Sequence, residues 1–171
     1  MSQNSSVLAP EETHLVDSLL HSNVKRVVVG AICGVASGLL LLWGTTLFTP
    51  DGAGQLWWIQ LMASTFCGGK ALAYEVSSQT LIAGLGVHFG LSVINGLFFG
   101  KMTTSRDAKK LAGYGLVLGA LCWLASNMFA PDFLDVEGLS AVGEWTRVFL
   151  FVPFGVSLGL FMSVASHVLD L

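Results

Sequence analysis

Charge is what this sequence has least of. Only 8 of its 171 residues are Lys or Arg and 11 are Asp or Glu, too few to coat a soluble domain. The basic residues form no stripe and no Gly-rich loop follows a strand pattern, so neither nucleic acid nor nucleotide is an expected partner. Cysteine is scarce as well. Cys33, Cys67 and Cys122 make no C-x-x-C pair for zinc or dithiol chemistry and read as small packing residues. No Ser, Cys or His combination couples a nucleophile to a base, and no metalloprotease motif is present. The chain is therefore expected to be non-catalytic, with no metal. The first residues also differ from the basic and then apolar pattern of a secretory leader. Residues 1–25 are polar and acidic, so the amino terminus is expected to be retained.

What the chain does have is apolar length. Hydrophobic residues make up 53% of it, and four runs approach the 20 or so residues needed to cross a bilayer. These are residues 27–48, 80–100, 110–129 and 146–168. The expected fold class is all-α: a four-helix transmembrane domain over 26–171 behind a cytoplasmic segment, 1–25. Within that segment, Leu15, Val16, Leu19 and Leu20 form an apolar stripe after Pro10, Glu11 and Glu12, the pattern of a short surface helix from Pro10 to His21. The Thr49-Pro50-Asp51-Gly52 turn closes the first span. Leu56 to Gly69 is apolar over about 14 residues, a length that suits an interfacial or re-entrant helix better than a span.

Positive charge sets orientation. Lys25 and Arg26 precede the first span, and Lys101, Arg106, Lys109 and Lys110 fill the connection between the second and third. Asp132, Asp135, Glu137 and Glu144 fill the next connection. Lys and Arg favour the cytoplasmic side, so both termini are expected there. Trp57, Trp58 and Trp145 then lie toward the outer side. The basic connection suits contact with anionic lipid headgroups. The acidic one reads as a solvated loop, since it lacks the alternating ligands of a calcium site.

The chain also resembles itself. A shift of 81 positions lays Gly34 and Gly38 on Gly115 and Gly119, and Phe48-Thr49-Pro50-Asp51 on Phe129-Ala130-Pro131-Asp132. Phe89-Gly90-Leu91-Ser92 matches Phe154-Gly155-Val156-Ser157 at a different shift. Two tandem hairpins of parallel orientation are implied. With Gly30, His88-Phe89 and the glycines of each span, this pattern resembles an uncharacterised family of small bacterial four-helix membrane proteins. The resemblance runs from about Val27 to Met162 and implies a fold in a bacterial inner membrane without implying a reaction. Where that family often carries a histidine in its last span, this chain has Pro153.

Small residues spaced four apart recur in every span: Gly30, Gly34 and Gly38; Gly86 and Gly90; Gly96 and Gly100; Gly115 and Gly119; Gly155 and Gly159. Such GxxxG spacing lets helix backbones touch, within the chain or against partner helices. His88, Ser92 and Asn95 share one face of the second span, and a polar stripe in lipid points inward. One reading is an interhelical hydrogen bond from His88 to Ser126, Asn127 or a carbonyl. Others are a haem or quinone contact, or part of a path for a neutral solute. The spans hold no interior Asp, Glu, Lys or Arg, which weighs against ion-coupled transport. The leading expectation is an accessory or structural subunit of a larger membrane complex, partnered by lipids and by other subunits or itself. A small channel or carrier comes second and a redox-linked subunit third.

Overall fold

A computed structural model describes residues 10–47, 54–68, 71, 76–133 and 144–171. Among them are five helices and no strand: α1 (Pro10–Leu47), α2 (Trp57–Cys67), α3 (Ser78–Met102), α4 (Ala108–Phe133) and α5 (Glu144–Val168). Four are long and apolar enough to cross a membrane, over Ser22–Leu47, Ser78–Met102, Ala108–Met128 and Val148–Val168. That is the makeup of a multi-pass membrane protein, and each expected span falls on one of these helices. The turn at Pro50-Asp51-Gly52, the acidic loop at Asp135 and Glu137, and the side chains of Pro10 to His21, Phe129 and Trp145 lie outside the described residues.

Helix ends follow local chemistry. Ser77 caps α3 by accepting from the Thr80 N–H at 3.1 Å, and Asp107 caps α4 by accepting from Lys109 and Lys110 at 2.8 and 3.1 Å. Those bonds, Lys110 first, hold the Asp107 carboxyl below its usual range. The expected surface helix is not a separate element. Residues 10–21 continue into the first span as one helix of 38 residues, because no Gly or Pro follows Pro10 until Gly30 to end it. α5 likewise passes through Pro153 as one helix.

The helices form two antiparallel hairpins, α1 with α3 and α4 with α5, joined where α1 meets α5. In both, glycines bring backbone against backbone. A methyl added at Gly30 would sit 2.9 Å from the Gly100 Cα, and one at Gly96 would sit 3.0 Å from the Gly34 Cα. In the second hairpin a methyl at Gly155 would sit 2.9 Å from the Gly119 Cα, and one at Gly159 would strike the Leu111 carbonyl. Lipid offers no hydrophobic force to join helices, so this close approach supplies the dispersion contacts that do. Between the hairpins, Leu41 packs with Leu150 and Phe154, and Cys33 with Leu158 and Met162. α3 and α4 meet only marginally, which leaves a gap between them.

The connection from α3 to α4 is fastened to both hairpins. Arg26 donates to the Thr103 carbonyl at 3.1 Å, while Ser163 donates to the Arg106 carbonyl at 3.0 Å. Arg106 pairs with Asp170 at 2.7 Å and also donates to the Leu171 oxygen. Lys25, Arg26, Lys101, Arg106, Lys109 and Lys110 thus share one end of the bundle, opposite α2.

Candidate functional site

α2 is a core element. Trp57 through Leu61 are five consecutive buried residues, a run that cannot lie on one face of a helix and therefore requires neighbours all round. Those neighbours are α3, whose Gly84 admits the Ile59 carbonyl, and the Leu41, Leu150 and Phe154 cluster of α1 and α5. The Trp57 indole N–H donates to the Thr45 carbonyl at 3.2 Å.

His88 lies at the junction of α1, α2 and α3. It is 3% exposed, and both ring nitrogens are engaged. The Trp58 indole N–H reaches Nδ1 at 3.2 Å, and Nε2 lies 2.8 Å from the Gly38 carbonyl. An indole N–H can only donate and a carbonyl can only accept, so the partners fix a neutral imidazole with its proton on Nε2. Gly38 is what allows this, since a methyl there would meet Ser92 Oγ at 2.5 Å and His88 Nε2 at 3.5 Å. Of the expected partners the histidine takes the carbonyl. Ser126 and Asn127 instead bond to the Trp123 carbonyl of their own helix at 2.7 and 3.0 Å.

The remaining polar residues are also satisfied locally. Ser92 donates to the His88 carbonyl at 2.8 Å, and Asn95 donates to the Leu91 carbonyl at 3.0 Å. The Asn95 oxygen receives the Cys122 thiol at 3.6 Å, tying α3 to α4 at one level. The structure thus brings His88 and Ser92 together on α1, while Asn95 turns toward α4.

Beside these residues is a cavity of about 910 Å³ between the hairpins, within the range of small-molecule sites. Leu41, Trp58, Met62, Phe66, Phe151 and Phe154 are among its apolar lining. Gly86 and Gly90 line it as well, and a methyl at either would meet nothing within 4 Å. Among the described residues nothing therefore packs on these two glycines, although their spacing equals that of Gly30 and Gly34, because they face the gap left by α4. Gly96, Gly100, Gly115, Gly119, Gly155 and Gly159 all pack as the small-residue pattern suggests.

Sequence reasoning missed Trp58, Cys122 and Met62 as parts of this region. The Trp57-Trp58 pair read as an interfacial anchor, and only the fold shows that Trp58 turns inward. Among the described residues no group of three or more His, Cys, Asp or Glu side chains is placed to hold a metal ion. No family model, curated protein or solved structure matches the chain.

Proposed function

We propose that this chain is a non-catalytic structural or accessory subunit of a larger assembly in a bacterial inner membrane, with both termini cytoplasmic. The observation that carries the reading is the state of α4. It is a span-length helix seated along α5 with only marginal contacts elsewhere, and 17% of its span is buried against 39% for α5. Val117, Leu121 and Leu124 remain exposed on it, a face open to the helix of another subunit.

The polar groups support a non-catalytic role. His88, Ser92 and Asn95 each fasten helix to helix or to their own backbone. A haem iron needs a free imidazole nitrogen, and His88 has both engaged, so its surroundings do not fit a haem. Paired in this way, the His88 face also lacks the open donors and acceptors that a polar solute path would use. Orientation with both termini cytoplasmic is supported by the six basic residues gathered at one end.

Two finer features of the architecture belong to the same proposal. A two-hairpin repeat, and with it kinship to the small bacterial four-helix family, is supported by matching contacts: Gly30 and Gly34 meet α3 as Gly115 and Gly119 meet α5. Placement of α2 as a re-entrant helix is supported by Trp58, which reaches the level of His88. That level is roughly 15 Å along α3 from Ser78, at about 1.5 Å per residue, and about half the hydrocarbon thickness.

The test is purification of the tagged protein in mild detergent, with mass spectrometry of copurifying chains and a photo-crosslinker at Val117. Stoichiometric membrane partners crosslinked through Val117 are expected. A preparation containing this chain alone, with no crosslink to another polypeptide, removes the reading.

A further inference from the structure

The cavity between α3 and α4 invites two kinds of occupant, a helix or a lipid tail, and its dimensions decide between them. On α3 its lining runs from Ala83 to Asn95, and on α4 only from Cys122 to Ser126. At about 1.5 Å per residue these are roughly 18 and 6 Å, well short of the 30 Å or so that a spanning helix must traverse. Both ends are closed. The lining stops at Asn95 and Cys122, which touch at 3.6 Å, and α2 borders the other end with Trp58 and Met62. A spanning helix would have to displace one of these closures. The side facing the bilayer is open, since Gly86, Gly90, Leu91, Ile94 and Phe66 on its rim are all exposed.

The walls select within the class of small apolar molecules. Among the described residues no Asp, Glu, Lys or Arg lines the cavity. Its His88 nitrogens and Ser92 hydroxyl are bonded within the chain, so a quinone ring would find few donors for its carbonyls. A saturated hydrocarbon tail asks for none. Gly86 and Gly90 leave a patch of the α3 wall without side chains, flanked by Ala83, Val87 and Leu91, an apolar surface against which a flexible tail gains dispersion contacts.

We propose that this cavity is a binding site for the acyl chain of a membrane phospholipid, entering sideways from the half of the bilayer that borders α2. The inference goes beyond the subunit reading and rests only on the chain spanning a membrane. A lipid could be held with or without a protein partner on α4.

The experiment uses the full chain purified in mild detergent, washed extensively, and analysed by native mass spectrometry and by chromatography of its organic extract. The lining glycines supply the variant, because a side chain at either meets open space and leaves the seams untouched. Wild type is expected to retain phospholipid near one per chain. Gly86→Leu with Gly90→Leu should put two bulky side chains across the cavity wall and lower retention at least tenfold, with melting and gel-filtration behaviour unchanged. Gly113→Leu, also in open space but outside the cavity, should retain lipid as wild type does. A second measurement stands if the double variant does not fold: in wild-type protein, phospholipid brominated deep in its tail should quench Trp58, and Trp58→Phe should remove that quenched component. Retention unchanged in the folded double variant overturns the proposal. Isoprenoid quinone in place of phospholipid in the extract, or a polypeptide crosslinked at Ile94, overturns it as well.

Discussion

The two hairpins use the same seam and differ in what is added to it. In both, glycines four apart let carbonyls of one helix approach the backbone of the other. The α1–α3 hairpin also carries a polar junction, with His88 joined to Gly38 and to Trp58, and through them holds α2. The α4–α5 hairpin has no such link among its described residues, although each hairpin buries polar atoms with no partner, Ser37 in the first and Trp123 and Ser166 in the second. Glycine contact with the apolar packing beside it thus builds a hairpin without a buried histidine junction. The polar junction is what adds a fifth element to it.

The largest effects should come from the shared seam and should be equal in the two hairpins. Gly96→Ala and Gly155→Ala each drive a methyl into a facing carbonyl, and such overpacking costs roughly 1–3 kcal/mol. Detergent-solubilised protein should lose thermal stability to a similar extent in both. A large loss in one only would show that the seams are not equivalent. Next come changes that act on one hairpin. His88→Ala leaves the buried Trp58 indole N–H unpaired, at about 1–3 kcal/mol, and should expose α2 to protease while α4 and α5 keep their hydrogen-exchange protection. Trp58→Phe leaves His88 Nδ1 without its donor but keeps the Nε2 bond to the Gly38 carbonyl, and should do the same more weakly. If both variants loosened α4 and α5 equally, the junction would belong to the whole bundle.

The smallest effect concerns the link between the hairpins. Asp107 is held below its ordinary pKa of 3.8 by the Lys110 and Lys109 amides. A depressed carboxyl in the folded chain means the unfolded chain binds the proton more readily. Its contribution is therefore fully present above that ordinary value and is lost as pH falls through the lower, folded one. A melting series from neutral to acidic pH should show a slight loss that Asp107→Asn abolishes. Persistence of the loss in that variant would assign it to other carboxylates.

How much of this was legible in the sequence depended on how far apart the deciding residues lie. Four spans could be read because twenty apolar residues announce themselves locally. The continuity of α1 was equally local, since no helix-ending residue separates Pro10 from Gly30, yet the change from polar to apolar character suggested a boundary. The glycine seams were recognisable as motifs, but their pairing was not. The sequence match sets Gly34 and Gly38 against Gly115 and Gly119, whereas the contacts set Gly30 and Gly34 there, one helical turn away. A pattern with a period of four matches itself after every slip of four, and only contact with the opposite helix removes the ambiguity. For the same reason Gly86 and Gly90 could not be told from packing glycines. α2 was undecidable by length, because its burial depends on Gly84 and His88, which lie 25 and 30 residues beyond the Ile59 and Trp58 they meet.

The arrangement of the two hairpins has a mechanical consequence. α1 and α5 form a spine, and α3 and α4 stand from it like the covers of a half-opened book. Each cover is fixed to the spine by its own glycine seam, so the angle between them can change without separating a single backbone pair. The only described hydrogen bond that directly joins the two covers is the thiol–amide contact of Cys122 and Asn95, a weak one. In a compartment bounded in this way a small rotation at the spine would change the girth while both glycine seams stay closed, so that guests of different thickness would be admitted by the same fold.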